Sequence, residues 1–144
     1  MRRLALFVLV ICGVTAAACT RRSDTFTLPV SDTNVTGTFT LRTANGQVPP
    51  FTAIVTTTEQ WQLTFDEIIL AANNTWVDTT NYAVTSFVDG SQRTQATSSA
   101  GTYTLTNGQI NFIMTTGGNA IFAGAVTGNT LSVLFNGAPY VYTR

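Results

Sequence analysis

The sequence predicts an all-β domain, a single antiparallel up-and-down β-barrel of eight or nine strands that occupies residues 35–144. Thr accounts for 28 of the 144 residues, and Thr, Val, Phe and Tyr all favour the half-buried surface of a sheet. Large apolar residues alternate with polar ones through this region, which is the pattern of strands with one buried face. Six two-residue turn signals separate the alternating segments. A hydrophobic content of 44% with zero net charge argues against intrinsic disorder.

The alternation indicates which side chains face the barrel interior. In the first strand Phe39 and Leu41 share one face, and later strands present an equivalent apolar face. The candidate interior and ligand-binding residues are Phe39, Leu41, Trp61, Leu63, Phe65, Tyr103, Phe112, Phe122 and Tyr142. Trp76 and Tyr82 share a parity within their own strand and are expected either inside or at the rim. Residues 66–72 fit a helical turn or a strand with a bulge.

The turn signals favour a closed barrel over a β-sandwich. They are Asn45-Gly46, Asp89-Gly90, Asn107-Gly108, Gly117-Gly118, Gly128-Asn129 and Asn136-Gly137. Such pairs supply the positive φ angles of tight hairpins. Consecutive hairpins suit a barrel, because a sandwich needs long crossover connections that this chain lacks. Closure also removes exposed strand edges. This matters because Lys residues often keep such edges from pairing with other chains, and this chain has no Lys.

The first 18 residues predict an export signal that is separate from the fold. Two arginines precede an apolar run over residues 4–14, which is short for a membrane span. Three alanines then lead to Cys19, and this arrangement resembles the signal of bacterial lipoproteins, in which a Cys after small residues is lipidated and becomes the first residue. The resemblance implies a signal peptide over residues 1–18, lipid attachment at Cys19 and a flexible tether over residues 19–34. Plain secretion with cleavage after Ala18 and an uncleaved anchor are the alternatives.

The lipoprotein resemblance also implies a location. Acyl chains on Cys19 would hold the mature protein on a membrane without inserting it. Thr20 stands where some bacterial lipoproteins carry an Asp that retains them in the inner membrane. We therefore expect an exported protein that is lipid-anchored to the cell envelope, at the outer membrane in preference to the inner one. Because Cys12 would leave with the signal, no thiol would remain for a disulfide, a metal or catalysis.

Residues 35–144 resemble the small lipocalin-like β-barrel lipoproteins of bacteria. The similar elements are Gly37-Thr38-Phe39-Thr40-Leu41 with Asn45-Gly46-Gln47 and Pro49-Pro50-Phe51, then Gly101-Thr102-Tyr103, Gly128-Asn129-Thr130-Leu131 and Tyr140-Val141-Tyr142-Thr143-Arg144. Lipocalins carry a Trp on the first strand and an Arg near the end of the last strand that packs over it. Phe39 and Arg144 stand at the matching places here. The resemblance implies the lipocalin-like fold of this region more than it implies what the protein does.

The composition gives little basis for catalysis. The chain has neither His nor Lys, so Ser and Thr hydroxyls lack the usual base beside them. Asp66 and Glu67 form the only adjacent acidic pair, and neighbours on a strand point to opposite faces, so we expect a solvated pair and no shared acid–base site. No motif for a metal or a cofactor is present. Zero net charge gives no reason to expect nucleic-acid binding.

Two functions remain open. The first is a non-enzymatic carrier, in which the anchored barrel binds a small hydrophobic ligand at its open end among aromatic side chains. The second is a structural or protein-interaction lipoprotein of the envelope with a filled core and an unknown protein partner. We expect the aromatic side chains to fill the interior and to leave no large pocket, because an eight-stranded barrel is only wide enough for side chains to pack it. An enzyme is the third and weakest reading.

Overall fold

A computed structural model describes residues 34–144. These residues form nine β-strands and no helix: β1 (Gly37–Ala44), β2 (Phe51–Val55), β3 (Glu59–Leu70), β4 (Thr75–Ser86), β5 (Gln92–Thr106), β6 (Gln109–Thr116), β7 (Ile121–Thr127), β8 (Thr130–Phe135) and β9 (Ala138–Thr143). No helix that could cross a bilayer occurs in this part of the chain. The predicted signal peptide, Cys19 and the tether as far as residue 33 lie outside the described residues.

Eight of the strands close into an antiparallel barrel. Strands β3 to β9 pair with their sequence neighbours, and β1 closes the barrel by pairing with both β9 and β3. The remaining strand, β2, lies outside this closed ring and pairs with the first half of β3, where Phe51 lies opposite Leu63. The second half of β3 pairs with β1 instead, where Phe39 lies opposite Ile68. The prediction of an all-β, closed up-and-down barrel is therefore confirmed.

All six predicted turns lie between strands. In the β5–β6 and β8–β9 turns both central residues have positive φ, for example 51° at Asn107 and 77° at Gly108, as two-residue hairpins of this hand require. Two connections contain no glycine and use side chains. After β2 the hydroxyl of Thr56 accepts a hydrogen bond from the backbone N–H of Glu59 at 2.9 Å. Such local bonds give the backbone an alternative way to turn.

A β-bulge at Thr64 reverses which side chains of β3 point into the barrel. The pairing register shifts between Leu63 and Phe65, so the inward series continues with Asp66 and Ile68. Phe65 is consequently 37% exposed, whereas Asp66 is only 5% exposed. The prediction that Phe65 faces the interior is wrong, because one extra residue moves every later side chain to the other face. Residues 66–70 continue β3 in regular register with β4 after the bulge, so a strand forms here and the alternative helical turn does not.

The two ends of the barrel are built from different connections. The closed end holds the start of β1, the end of β9 and the connections at residues 71–74, 107–108 and 128–129. The open end holds the connections at residues 45–50, 56–58, 87–91, 117–120 and 136–137. These two names are used in this sense below.

The buried core lies toward the closed end. Phe39 and Phe112 are fully buried there, and Trp76 is 1% exposed. The ring of Trp76 meets that of Phe112 edge-on at 5.6 Å between centroids, and Phe112 stacks on Phe122 at 4.7 Å. Aromatic pairs favour both of these geometries. The side chains in this half of the barrel therefore fill it, as predicted.

Arg144 caps the closed end over Phe39. Its guanidinium carbon lies 5.2 Å from the centroid of the Phe39 ring, within cation–π range. Its Nη1 donates to the backbone oxygen of Thr36 at 2.8 Å, and its Nη2 donates to that of Gly128 at 3.2 Å. The guanidinium thus joins the start of β1 to the β7–β8 turn. This is the pairing of first and last strand that the lipocalin-like resemblance implied.

Candidate functional site

An internal cavity of about 140 Å³ lies between the packed core and the open end. Strands β3 to β9 all contribute side chains to its wall. Six of these side chains are aromatic: Trp76, Tyr82, Phe122, Phe135, Tyr140 and Tyr142. Two are carboxylic acids, Asp66 and Asp78. The interior is therefore packed at one end and hollow at the other, and the space left is smaller than the roughly 300–1,000 Å³ of a typical ligand pocket.

A wide groove at the open end adjoins the cavity. This groove has a volume of about 490 Å³ and lies between the β1–β2 segment and the β8–β9 turn. Four side chains line both spaces: Leu63, Tyr82, Phe135 and Tyr140. The groove and the cavity therefore share a wall.

The two acids lie on the inner face of β3 and β4. Asp66 pairs with Thr80, and Asp78 is two residues before Thr80 on the same strand. The two carboxyl groups are therefore diagonal cross-strand neighbours, a separation that side chains can span. The bulge at Thr64 makes this arrangement possible, because without it Asp66 would point outward.

Hydroxyl groups surround the acid pair. The phenol of Tyr142 donates to Asp66 Oδ2 at 3.2 Å, and Ser99 Oγ donates to Asp78 Oδ2 at 3.2 Å. The other oxygen of Asp66, Oδ1, is buried and accepts no hydrogen bond from a hydroxyl or N–H group of the described residues. Asp66 and Asp78 are hydrogen-bonded to each other, and both line the cavity.

Burial raises the pKa of both acids. For Asp66, loss of solvation acts first, and the charge of Asp78 and a hydrogen bond with it add to this, so the pKa rises from 3.8 to about 8. Loss of solvation also raises the pKa of Asp78, although bonds from Asp66, Ser99 and Thr80 oppose the shift. Two carboxyl groups in hydrogen-bonding contact require a proton between them. A pair that shares a single proton carries one negative charge.

The arginines of the described chain are all engaged elsewhere. Arg42 Nε donates to the hydroxyl of Thr143 at 2.6 Å, and Arg93 forms an ion pair with Glu59 at 2.8 Å. Arg144 caps the closed end. No positively charged side chain of residues 34–144 therefore compensates the charge of the acid pair.

The nine predicted interior residues separate into four groups. Leu63, Phe122 and Tyr142 line the cavity. Phe39, Leu41, Tyr103 and Phe112 are buried in the core beneath it. Trp61 is half-buried, packs edge-on against Tyr82 at 5.6 Å, and has the Arg93 guanidinium 5.8 Å from its ring. Phe65 lies outside, as described above.

Sequence reasoning missed the acid pair. The expectation that Asp66 is solvated is wrong because it ignores the bulge, although Asp66 and Glu67 do differ in exposure as strand neighbours should. Asp78 carried a usable signal, since it has the same parity as Trp76 and Tyr82 in β4. Both of these aromatic side chains line the cavity, and so does Asp78. Acidic residues in phase with inward aromatic residues are thus informative.

No protein-family model matches this chain, and no curated protein or solved structure is significantly similar to it. Within residues 34–144 no group of three or more potential metal ligands of the Cys, Asp and Glu types occurs. The function is therefore argued from the cavity and its walls.

Proposed function

We propose that this protein is a lipid-anchored β-barrel of the bacterial cell envelope that binds or carries a small hydrophobic molecule inside the barrel and does not act as an enzyme. The observation that carries the proposal is the internal cavity of about 140 Å³ that adjoins the groove at the open end. An apolar protein cavity of roughly 150 Å³ is large enough to bind benzene. The ligand, or the part of it that enters, is therefore about the size of one ring.

The cavity wall has the composition of a binding pocket. Ligand sites are mostly apolar and aromatic, with a few convergent polar groups that set orientation. Here the aromatic rings are joined by the acid pair and by the hydroxyls of Ser99 and Tyr142. A longer ligand would place its remainder in the groove between Ala44 and Tyr140.

Anchoring through Cys19 remains part of the proposal on the strength of the signal sequence. The position of the first described residues is compatible with it. The backbone oxygen of Asn34 accepts a bond from Arg144 at the closed end, so the chain enters the barrel there. A tether over residues 19–34 would hold the closed end nearer the membrane surface and leave the open end accessible.

A role in protein interaction is the second candidate, and the rim of the open end favours it. Val55, Phe87, Val88 and Ile121 are all more than half exposed at this end, with Val88 80% and Ile121 78% exposed. Exposed apolar residues that cluster together commonly mark an interaction surface. The cavity favours the carrier, since a purely structural barrel has no need of an internal space.

Filling the cavity tests the carrier proposal. Val133 lines the cavity and is 5% exposed, so Val133→Phe places a ring in the space. We expect benzyl alcohol, titrated calorimetrically against the full chain, to bind the unsubstituted protein and to lose measurable binding to Val133→Phe. Leu134→Phe is the matched control, because Leu134 is the next residue of β8 and is 56% exposed. Binding that survives Val133→Phe, or no binding to either protein, would reject the carrier proposal.

Intact mass of the protein extracted from its membrane tests the anchor. An acylated chain beginning at Cys19, with the added mass absent from Cys19→Ala, is the expected result. An unmodified chain that begins after Ala18 would reject anchoring and leave the binding proposal in place.

A further inference from the structure

The cavity wall holds two carboxylic acids, and no positively charged side chain of the described residues pairs with them. A pair that shares one proton carries one negative charge, and the three described arginines are engaged at other places. Asp66 Oδ1 is also buried and accepts no hydrogen bond from a hydroxyl or N–H group of the described residues. Asp66 is 95% buried, as its exposed fraction of 5% shows, and it lines the cavity. A buried charge is normally paired or hydrogen-bonded, so the space beside it is suited to a group that does both.

Six of the fourteen side chains that line the cavity are aromatic. The face of an aromatic ring is electron-rich, and it attracts a cation that lies within about 6 Å. Tyr82, Phe135 and Tyr140 line both the cavity and the groove, and Trp76 and Phe122 line the cavity alone. Such a wall with a carboxylate at one side matches a cation that carries an apolar body. It does not suit an anion, because both the ring faces and the acid pair repel negative charge.

We propose that the ligand of this cavity is a small organic ammonium ion with an apolar body of about one ring, whose N–H groups donate to carboxyl oxygens of the Asp66–Asp78 pair. The inference rests on the proposed function and narrows its ligand class. The ammonium group neutralises the charge of the pair, donates hydrogen bonds to it and lies against ring faces. A neutral molecule of the same shape makes the apolar contacts only.

The titrating groups around the pair define how binding depends on pH. Asp66 on β3 and Asp78 on β4 are faced by Tyr82 on β4 and by Tyr140 and Tyr142 on β9. Burial raises the pKa of all three phenols, so they stay neutral across the physiological range. Acidification protonates the remaining carboxylate and removes the negative charge. Ammonium binding therefore weakens as the pH falls, while binding of a neutral ring does not.

Three probes of equal size separate charge from shape: benzylammonium, benzyl alcohol and benzoate. Each is titrated calorimetrically against the full chain at neutral pH. We expect benzylammonium to bind at least roughly tenfold tighter than benzyl alcohol, since one charge-assisted hydrogen bond is worth about one decade of affinity. Benzoate should show no binding. In Asp78→Asn the affinity for benzylammonium should fall roughly tenfold while that for benzyl alcohol changes by less than about twofold.

Glu67→Gln is the matched control for charge. It removes one negative charge from the residue next to Asp66 on the same strand, with the side chain on the other face. It should change neither the affinity for benzylammonium nor that for benzyl alcohol. If Asp78→Asn does not fold, the pH titration of the unsubstituted protein decides, because only benzylammonium should lose affinity on acidification.

The outcomes separate this inference from the proposed function. If benzyl alcohol binds as tightly as benzylammonium, or if Glu67→Gln acts like Asp78→Asn, the ammonium inference is overturned and the carrier proposal stands. If benzylammonium affinity is unchanged by acid, the inference is likewise overturned. If none of the three probes binds, both proposals are overturned.

Discussion

The closed and open ends of this barrel are built from the same kinds of residue and differ in how tightly those residues pack. At the closed end Phe39 and Phe112 are fully buried and Arg144 covers the opening. At the open end Tyr82 and Tyr140 stand around a space of about 140 Å³ that holds two acids. One end of the barrel therefore holds most of the buried core, and the other end leaves the space in which we propose that a ligand binds.

Two glycines in the strands allow the tight packing next to the closed end. A Cβ added at Gly101 would lie 1.9 Å from the backbone oxygen of Ile113, so strands β5 and β6 approach closely only because this residue is glycine. The same holds at Gly124, where a Cβ would lie 2.5 Å from the backbone oxygen of Ser132. The register also shifts beside Gly101, between β5 and β6, and in β3 at Thr64, where β3 changes its partner from β1 to β2 toward the open end. Bulges of this kind re-aim side chains.

The largest effect is expected from Gly101→Ala. The new methyl group cannot avoid the backbone of β6, so we expect a loss of more than about 4 kcal/mol in the free energy of unfolding, or failure to fold. Chemical denaturation measures it. Gly128→Ala is the control, since a Cβ there meets nothing within 4 Å and only the φ of 58° opposes it, at a cost of about 1–2 kcal/mol. Equal stability of the two variants would refute the close approach.

The next effect compares two phenylalanines that the sequence treats as equivalent. Phe39→Ala removes a fully buried ring beneath Arg144 and should cost about 3–5 kcal/mol. Phe65→Ala removes a ring that is 37% exposed and should cost less than about 1.5 kcal/mol. Both values come from urea unfolding of the full chain. A cost at Phe65 that matches the cost at Phe39 would mean that the bulge in β3 is misplaced.

A pH-dependent effect is expected from Asp66→Asn. Because folding raises the pKa of Asp66 from 3.8 to about 8, the folded state holds a proton that the unfolded state has released between these pH values. The stability that this proton contributes is complete below about pH 4 and is lost as the pH rises through about 8, on the order of a few kcal/mol. The pKa of Asp78 is also raised by folding, so its titration changes the stability in the same direction. Asn cannot titrate, so the variant should gain stability relative to the unsubstituted protein as the pH rises.

Thermal or urea unfolding from pH 4 to pH 9 measures this trend. Asp89→Asn is the contrasting variant. A backbone bond from Ser91 and a side-chain bond from Ser86 hold the pKa of Asp89 down at about 2, and its titration therefore lies below this range. A difference between Asp66→Asn and the unsubstituted protein that does not vary with pH would contradict the burial of this acid.

The smallest effect is expected at the rim of the open end. Ile121 is 78% exposed, so Ile121→Thr should change the free energy of unfolding by less than about 0.5 kcal/mol. Differential scanning calorimetry is sensitive enough to detect a larger change. A loss above about 1 kcal/mol would show that the open end also contributes to the core, and the contrast between the ends would weaken.

The sequence predicts the fold well because turn chemistry and alternation both operate over a few residues. Asn-Gly pairs specify hairpins locally, and closure follows when consecutive hairpins leave no other partner for the first and last strands. The pairing of Phe39 with Arg144 could be expected from resemblance alone. These features do not depend on which face of any one strand points into the barrel.

The candidate site was predictable only in part, because it depends on a single inserted residue. Thr64 gives no signal in the sequence that would mark a bulge, yet it decides that Asp66 lies inside and Phe65 outside. Leu63, Phe122 and the inward face of β4 could be placed by parity. The size of the cavity could not, because it depends on how side chains from seven strands meet in three dimensions.

We expect a ligand to bind at the hollow end of the barrel and to leave the packed end unchanged. Backbone amide NMR of the full chain during titration with benzyl alcohol distinguishes the two ends. The amide signals of Tyr82, Ser99 and Tyr140 should shift with ligand concentration, those of Phe39 and Arg144 should stay fixed, and Val133→Phe should abolish the shifts. Shifts confined to the closed end or to outward residues, or no shift at any concentration, would contradict this expectation.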